Sequence, residues 1–442
     1  MRNRPPTIFT LPASSPPPLP PTSPTTNTFL AERFGPAAGP RKRWLIYFVT
    51  GNPGLVGYYD LFLSHLHFLL TAHPTLAPRH AFEVFGRSLS GFESRGCEAG
   101  GVWPANVREG RRGIKGGWRK QKKPPFDLQE QIDGVEWALW DHVRGMREEA
   151  DDDGERYGSG SAVLVNGAGE EVDGKEGDAE ETRVVVIGHS VGAYMALEVV
   201  KRWREALQEK KRRMGEKEKV DDGAVMLNAD ADVSVDVEEK EGGRIVGSVC
   251  LFPTVTHIAK SSSGLKLTML LESIPNLAIL AHFLAHALTF FFPTLILTEL
   301  LALILAQPPD AARTTAEFLK SPHGVRQALH MATDELQTIT HDAWDAEVWG
   351  AAEPSPVGVA RPKLFFLFGK EDHWVADETR DELIKARGRA RAEKRDEEKW
   401  KPVMEVDESG IPHGFCIDPN HSITVAEKVA RYIEEIVREE AA

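Results

Sequence analysis

Apolar residues gather along this chain in short, mostly β-branched or aromatic runs, each closed by a glycine- or proline-bearing turn. Trp44 to Thr50 reads W-L-I-Y-F-V-T and passes into Gly51-Asn52-Pro53-Gly54 before a helical stretch from Tyr58 to about Ala72. His80 to Ser88 is the next predicted strand. From Leu128 to Arg144, Ile132, Val135, Leu139 and Val143 share one helical face, so this helix is expected to pack on a sheet. Val184 to Ile187 is a fully apolar strand that meets Gly188-His189-Ser190-Val191-Gly192. Beyond it, Tyr194, Leu197, Val200, Trp203 and Leu207 keep one helical face apolar. Ile245 to Phe252, ending at Pro253, and Pro362 to Phe368 restore the strand pattern. A charged helix over Asp377 to Lys399, a short strand over Pro402 to Val406 and an amphipathic helix from about Ser422 to Arg438 close the chain. Strands alternating with helices predict an α/β protein with a mostly parallel sheet covered on both faces.

One stretch departs from this rhythm. From Ser273 through Thr298 there is no Asp, Glu, Lys or Arg, and apolar character resumes after Glu299 up to Ala306. A membrane-spanning helix needs about 20 such residues. Here Pro275, Asn276, His282, His286 and Pro293 interrupt the run, and no Lys/Arg cluster flanks it. The run also lies between two strands of one sheet, so both its ends return to the same globular body and a single crossing is excluded. The pattern predicts a helical cap over residues 254–340, or a hairpin dipping into a lipid surface. The expected organisation is a Pro/Ser/Thr-rich disordered tail over 1–40, the α/β core in two parts over 41–253 and 341–442, and this apolar insertion between them.

Composition refines the boundaries. The chain has 442 residues and a formal net charge of -13, which disfavours nucleic acid as a partner because phosphate binding rests on basic surface. The tail contains Pro-Pro-Pro at 16 to 18 and no apolar run long enough for a signal-peptide core, and its prolines also disfavour a transit peptide. Residues 93–124 are dense in Gly, Arg and Lys and read as a solvated loop, with a patch for anionic lipid headgroups as the sharper alternative. Residues 147–181 and 209–243 are charged, low-complexity segments and read as lengthened loops. The three cysteines, Cys97, Cys250 and Cys416, are scattered and suggest neither a disulfide framework nor a zinc site, so the reducing side of the cell is expected. No cofactor or metal is called for.

The candidate chemistry lies in the turns. A strand, a sharp G-x-S-x-G turn and a helix form a nucleophile elbow, which lifts Ser190 above the end of the sheet. A serine hydroxyl needs a base to take its proton, and the base needs a carboxylate to orient it. Asp372, after the strand ending at Phe368, and His413, in Ile411-Pro412-His413-Gly414-Phe415, follow in the order expected of an α/β-hydrolase. Glu371 and Asp377 rival Asp372, and His373 and His421 rival His413. An acyl-transfer serine also needs two amide donors, one from the residue after it and one from the loop after an earlier strand. Val191 and Asn52 are the candidates, through backbone N–H groups alone. Cys416 lies near His413 without an elbow around it, which disfavours a cysteine hydrolase.

Taken together, Thr50-Gly51-Asn52-Pro53-Gly54, Gly57-Tyr58-Tyr59, Gly188 to Tyr194, Leu251-Phe252-Pro253-Thr254, Asp372 and His413-Gly414-Phe415 resemble the lipid droplet-associated hydrolase family, a branch of the α/β-hydrolases. The resemblance runs from about 40 to 440 and leaves out the tail, the basic loop and the acidic insertions. It implies a location at lipid droplets and the endoplasmic reticulum, a hydrophobic central region that mediates targeting, and a lipase or sterol-esterase activity. Thr50 departs from α/β-hydrolases in general, where a histidine often precedes the glycine. The expected function is therefore a serine ester hydrolase acting on neutral lipid at a droplet monolayer. Two alternatives stand beside it: a droplet-binding protein with little hydrolysis, and a soluble esterase or thioesterase whose cap is simply buried.

Overall fold

The computed structural model describes residues 8–11, 41–92, 123–158, 181–221, 242–350, 355–389 and 400–441. Its centre is a seven-stranded sheet of β1 (Ile8–Leu11), β2 (Lys42–Val49), β3 (His80–Arg87), β4 (Thr182–His189), β5 (Gly243–Leu251), β6 (Lys363–Gly369) and β7 (Val403–Asp407), in the order β1-β3-β2-β4-β5-β6-β7. All neighbouring pairs are parallel except β1 with β3. The apolar runs form strands because both faces are covered. In β2, Leu45, Tyr47 and Val49 enter one core, while Trp44, Ile46 and Phe48 enter the other. Val184/Val186 and Val185/Ile187 of β4 divide in the same way.

Helices α2 (Leu128–Gly158) and α3 (Val191–Asp221) cover the first face, and α1 (Asp60–Thr71) and α11 (Pro419–Ala441) cover the second. The apolar stripes foreseen on α2 and α3 are the buried ones: Ile132, Val135, Leu139 and Val143, then Leu197, Val200 and Trp203. From the middle of the sheet the chain steps outward to β3 and then returns to place β4 on the other side of β2. The loops after β2 and β4 therefore part from one another at the strands' carboxyl ends. In open α/β sheets, that switch point is where a crevice opens.

Between β5 and β6 the chain forms α4 (Ser262–Ser273), α5 (Leu277–Thr289), α6 (Thr294–Leu305), α7 (Pro309–Lys320), α8 (Gly324–Thr338) and the short α9 (Ala346–Trp349). Pro275 and the left-handed Asn276 (φ 57°) separate α4 from α5, and Pro293 separates α5 from α6. Among the described residues, no single helix is long and apolar enough to cross a membrane. Two bent pairs pass by length and composition, α4 with α5 at 93° and α6 with α7 at 118°.

Three expectations need correction. The tail is not featureless: Ile8–Leu11 pairs antiparallel with β3, because a β-prone I-F-T-L run among prolines finds an open sheet edge. The rest of residues 1–40 lies outside the described residues. The segments read as loops at 147–181 and 209–243 begin as helix, since α2 runs to Gly158 and α3 to Asp221. Their Glu, Lys and Arg content favours helix as much as solvation, and Glu209 bonds Arg212 and Arg213 one turn on. Residues 159–180 and 222–241 of these segments, and nearly all of the basic loop at 93–124, lie outside the described residues. The charged helix expected to reach Lys399 is α10 (Asp377–Arg387), which stops before Gly388.

Candidate active site

Ser190 sits between β4 and α3 with φ 55°, a left-handed conformation that a residue with a Cβ adopts only under constraint. The constraint is visible. Its N–H donates to Leu251 O at 2.9 Å, and its carbonyl accepts from Ala193 N at 3.0 Å. The flanking glycines are required by close approach. A Cβ on Gly188 would fall 2.2 Å from Gly192 O, and one on Gly192 would fall 2.4 Å from Val49 O. The elbow read from the sequence is thus a packing necessity.

Ser190 Oγ lies 2.9 Å from His413 Nε2, and His413 Nδ1 lies 2.7 Å from Asp372 Oδ2. Asp372 stands just past β6, where its other oxygen accepts from Trp374 N at 2.8 Å. His413 follows β7, and all three side chains belong to buried residues. A carboxylate accepts only, so Nδ1 carries the hydrogen and Nε2 is left to accept from the serine hydroxyl. The rivals lie elsewhere. Asp377 bonds Arg380, His421 is 4.0 Å from Asp418, and Glu371 and His373 are exposed. Burial pushes the Cys416 thiol up to about 12, so it stays protonated. Among the described residues no group of His, Cys, Asp or Glu is arranged to hold a metal ion.

The loop after β2 runs beside the serine. A Cβ on Gly51 would stand 3.1 Å from Ser190 Cβ, a tight contact that a side chain could make only if its neighbours gave way by a few tenths of an ångström. Asn52 follows, and Val191 opens α3, where first-turn amides have no helical partner. Neither amide is used by the backbone hydrogen bonds of the described turns and loops. The loop is tied to the insertion: Asn52 Nδ2 donates to Ala328 O and to Glu335 Oε1, each at 3.0 Å, and Tyr58 OH meets Thr315 Oγ1 at 2.9 Å.

Three further residues belong to this site, none of which the sequence reading gives a role of its own. His189 Nε2 lies 2.9 Å from His413 O, and a carbonyl can only accept, so Nε2 carries the proton. His189 Nδ1 then accepts from Tyr59 OH at 2.7 Å, and the Tyr59 oxygen accepts from Gly51 N at 3.3 Å. This chain of bonds joins the loop after β2 to the histidine loop beneath Ser190. The third residue is Glu335, buried on α8 against Asn52. Burial raises its carboxyl to about 8, against the lowering effect of the Asn52 bond. Its nearest sequence signal was a Glu on the buried side of an amphipathic helix.

His189 yields a prediction. Burial, and after it the charge His413 can carry, lowers its pKa to about 3 from an ordinary 6.5. Below about pH 6.5 the unfolded chain takes a proton that the folded one refuses, so stability present at neutral pH is lost as pH falls. His189→Gln is expected to show a shallower acid-side loss of stability than the wild type in urea denaturation from about pH 7 to 4. Equal slopes would contradict the buried neutral assignment.

Three solved structures align over most of this chain at low identity. An epoxide hydrolase from Vigna radiata aligns at TM-score 0.41 and 13% identity over 90% of this chain and 92% of its own. A carboxylesterase from Nitrososphaera gargenis aligns at 0.38 and 12% over 91% and 93%. A soluble variant of monoglyceride lipase from Saccharomyces cerevisiae aligns at 0.37 and 11% over 89% and 87%. The family description is more specific: the pattern of lipid-droplet associated hydrolases matches residues 42–155 and 170–416, which take in the loop after β2, the elbow, the insertion, Asp372 and His413. With the site built on those matched segments, the chain belongs to the lipid-droplet associated hydrolase family of α/β-hydrolases.

Proposed function

We propose that this hydrolase is a serine esterase acting on neutral lipids, acylglycerols or sterol esters, at the surface of a lipid droplet. Ser190 Oγ attacks the ester carbonyl carbon while His413 Nε2 takes its proton. Asp372 holds the imidazole and stabilises the imidazolium. The carbonyl oxygen becomes an oxyanion that accepts from the Asn52 and Val191 amides. Collapse breaks the bond to the alcohol, which leaves with the proton from His413. Water then attacks the acyl-serine, giving its proton to His413, and the carboxylic acid is released as Ser190 recovers its hydrogen. The 2.9 Å contact between Ser190 Oγ and His413 Nε2 carries the hydrolytic part of this reading.

The apolar insertion supports the lipid part. Phe290, Phe291, Leu295 and Leu303 are each at least three-quarters exposed, and Phe283, Leu288 and Ile304 stand out beside them. Exposed apolar surface concentrated on one set of helices marks an interaction surface, and its exposure weighs against a cap that is simply buried. The same insertion reaches the reactive end of the sheet, touching Asn52 and Tyr58 after β2 and His373 after β6. A droplet is bounded by a monolayer over oil, so bent helix pairs that lie in its surface suit it better than a crossing helix. The test is fluorophosphonate labelling of Ser190 in the presence and absence of phospholipid-coated triacylglycerol droplets.

A further inference from the structure

Both hydrogens of the Asn52 carboxamide are held by one helix of the insertion. Ala328 and Glu335 are seven residues apart on α8 and so stand on one face, two turns from each other, with Asn52 Nδ2 3.0 Å from each acceptor. The Asn52 side chain is therefore fixed by α8 and not by the sheet from which its own backbone emerges. Its Oδ1 is buried with no partner among the described groups. A neutral carboxyl offers one acceptor and one O–H donor, the complement of a primary amide. Burying Glu335 for packing alone would be unfavourable, since an apolar side chain fills such a place without desolvating a polar group.

We infer that Glu335 is a positioning residue for the oxyanion loop: through the Asn52 side chain, helix α8 sets where the Asn52 backbone amide stands relative to Ser190. The inference rests on the reading of that amide as an oxyanion donor. Gly51 threads within contact of Ser190 and His189, so the loop has little room to drift on that side. On its other side the grip of α8 is what fixes the rotation of the next peptide. Because α8 packs against α5, which carries the exposed Phe283 and Leu288, the insertion that meets lipid also holds the loop that meets the oxyanion.

The experiment uses the full-length protein and p-nitrophenyl butyrate as a soluble ester. Glu335→Leu is expected to lower kcat by roughly 10- to 100-fold with KM within about twofold, the signature of a displaced oxyanion donor. Glu335→Gln keeps an acceptor for Asn52 Nδ2, carries an amide N–H where the neutral carboxyl has its O–H, and should retain kcat within about threefold. If Glu335 acts through Asn52, the Glu335→Leu/Asn52→Ala double variant is no worse than the poorer single variant. Should Glu335→Leu not accumulate as folded protein, Glu335→Asp, one methylene shorter, takes its place with the same expected split. Unchanged kcat in Glu335→Leu, multiplied losses in the double variant, or equal losses in the Gln and Leu variants would each overturn the inference. Absence of Ser190-dependent turnover in the wild type would instead overturn the hydrolase reading, and the positioning role with it.

Discussion

Replacing His413 with alanine is expected to lower kcat for ester hydrolysis by about 10⁴-fold or more, with little change in KM. Among the described residues the base in reach of the Ser190 hydroxyl is His413 Nε2, at 2.9 Å. His189 is adjacent but cannot replace it, because its Nε2–H is given to His413 O and its Nδ1 is held by Tyr59. Its lowered basicity points the same way. Ser190→Ala should lose as much, and the Ser190→Ala/His413→Ala double variant should lose no more than either alone, since the two act as one unit. Asp372→Asn should also lose heavily, because an amide in place of the carboxylate allows the wrong imidazole tautomer. Steady-state kinetics on a p-nitrophenyl ester provide the measurement. A His413→Ala variant within tenfold of the wild type would remove the triad.

The second large effect is expected at the lipid surface. Phe291 and Leu295 are among the most exposed residues of the insertion, at 82% and 79%. Transferring each into an apolar phase is worth about 2 kcal/mol, and a carboxylate in its place adds the opposite cost of desolvating a charge. Phe291→Asp/Leu295→Asp should therefore reduce partition onto triacylglycerol droplets by about 10³-fold or more. Neither side chain supports the triad, so turnover of a soluble ester should stay within about twofold of the wild type. Flotation of the purified variants with artificial droplets measures the first, and the p-nitrophenyl assay the second. Unchanged flotation would show that the exposed helices do not make the lipid contact.

The parts of this molecule that were legible in the sequence are those where local pattern and packing demand coincide. Val184 to Ile187 reads as a strand because it is buried on both faces, and Gly188 and Gly192 are readable because backbone from β2 and α3 leaves no room for a Cβ. Chain order and turn position point to Asp372 and His413 as candidates, and His413 lies within hydrogen-bond distance of both Asp372 and Ser190. What stayed hidden depends on distant partners. His189 meets Tyr59 across 130 positions, and Asn52 meets Glu335 across 283, and nothing local to either partner names the other. Charge patterning misled at Glu209 to Asp221, where a solvated composition is also a helix-forming one. Composition likewise hides β1, a four-residue strand with three β-prone residues, Ile8, Phe9 and Thr10, within a proline-rich tail.

The central claim is an activated Ser190 on a lipid surface, and fluorophosphonate labelling tests it most directly. Purified wild type and Ser190→Ala are each treated in buffer and with phospholipid-coated triacylglycerol droplets. Labelling of the wild type alone is expected, mapped to Ser190 and faster when droplets are present. No labelling of the wild type in either condition, or equal labelling of Ser190→Ala, would contradict it.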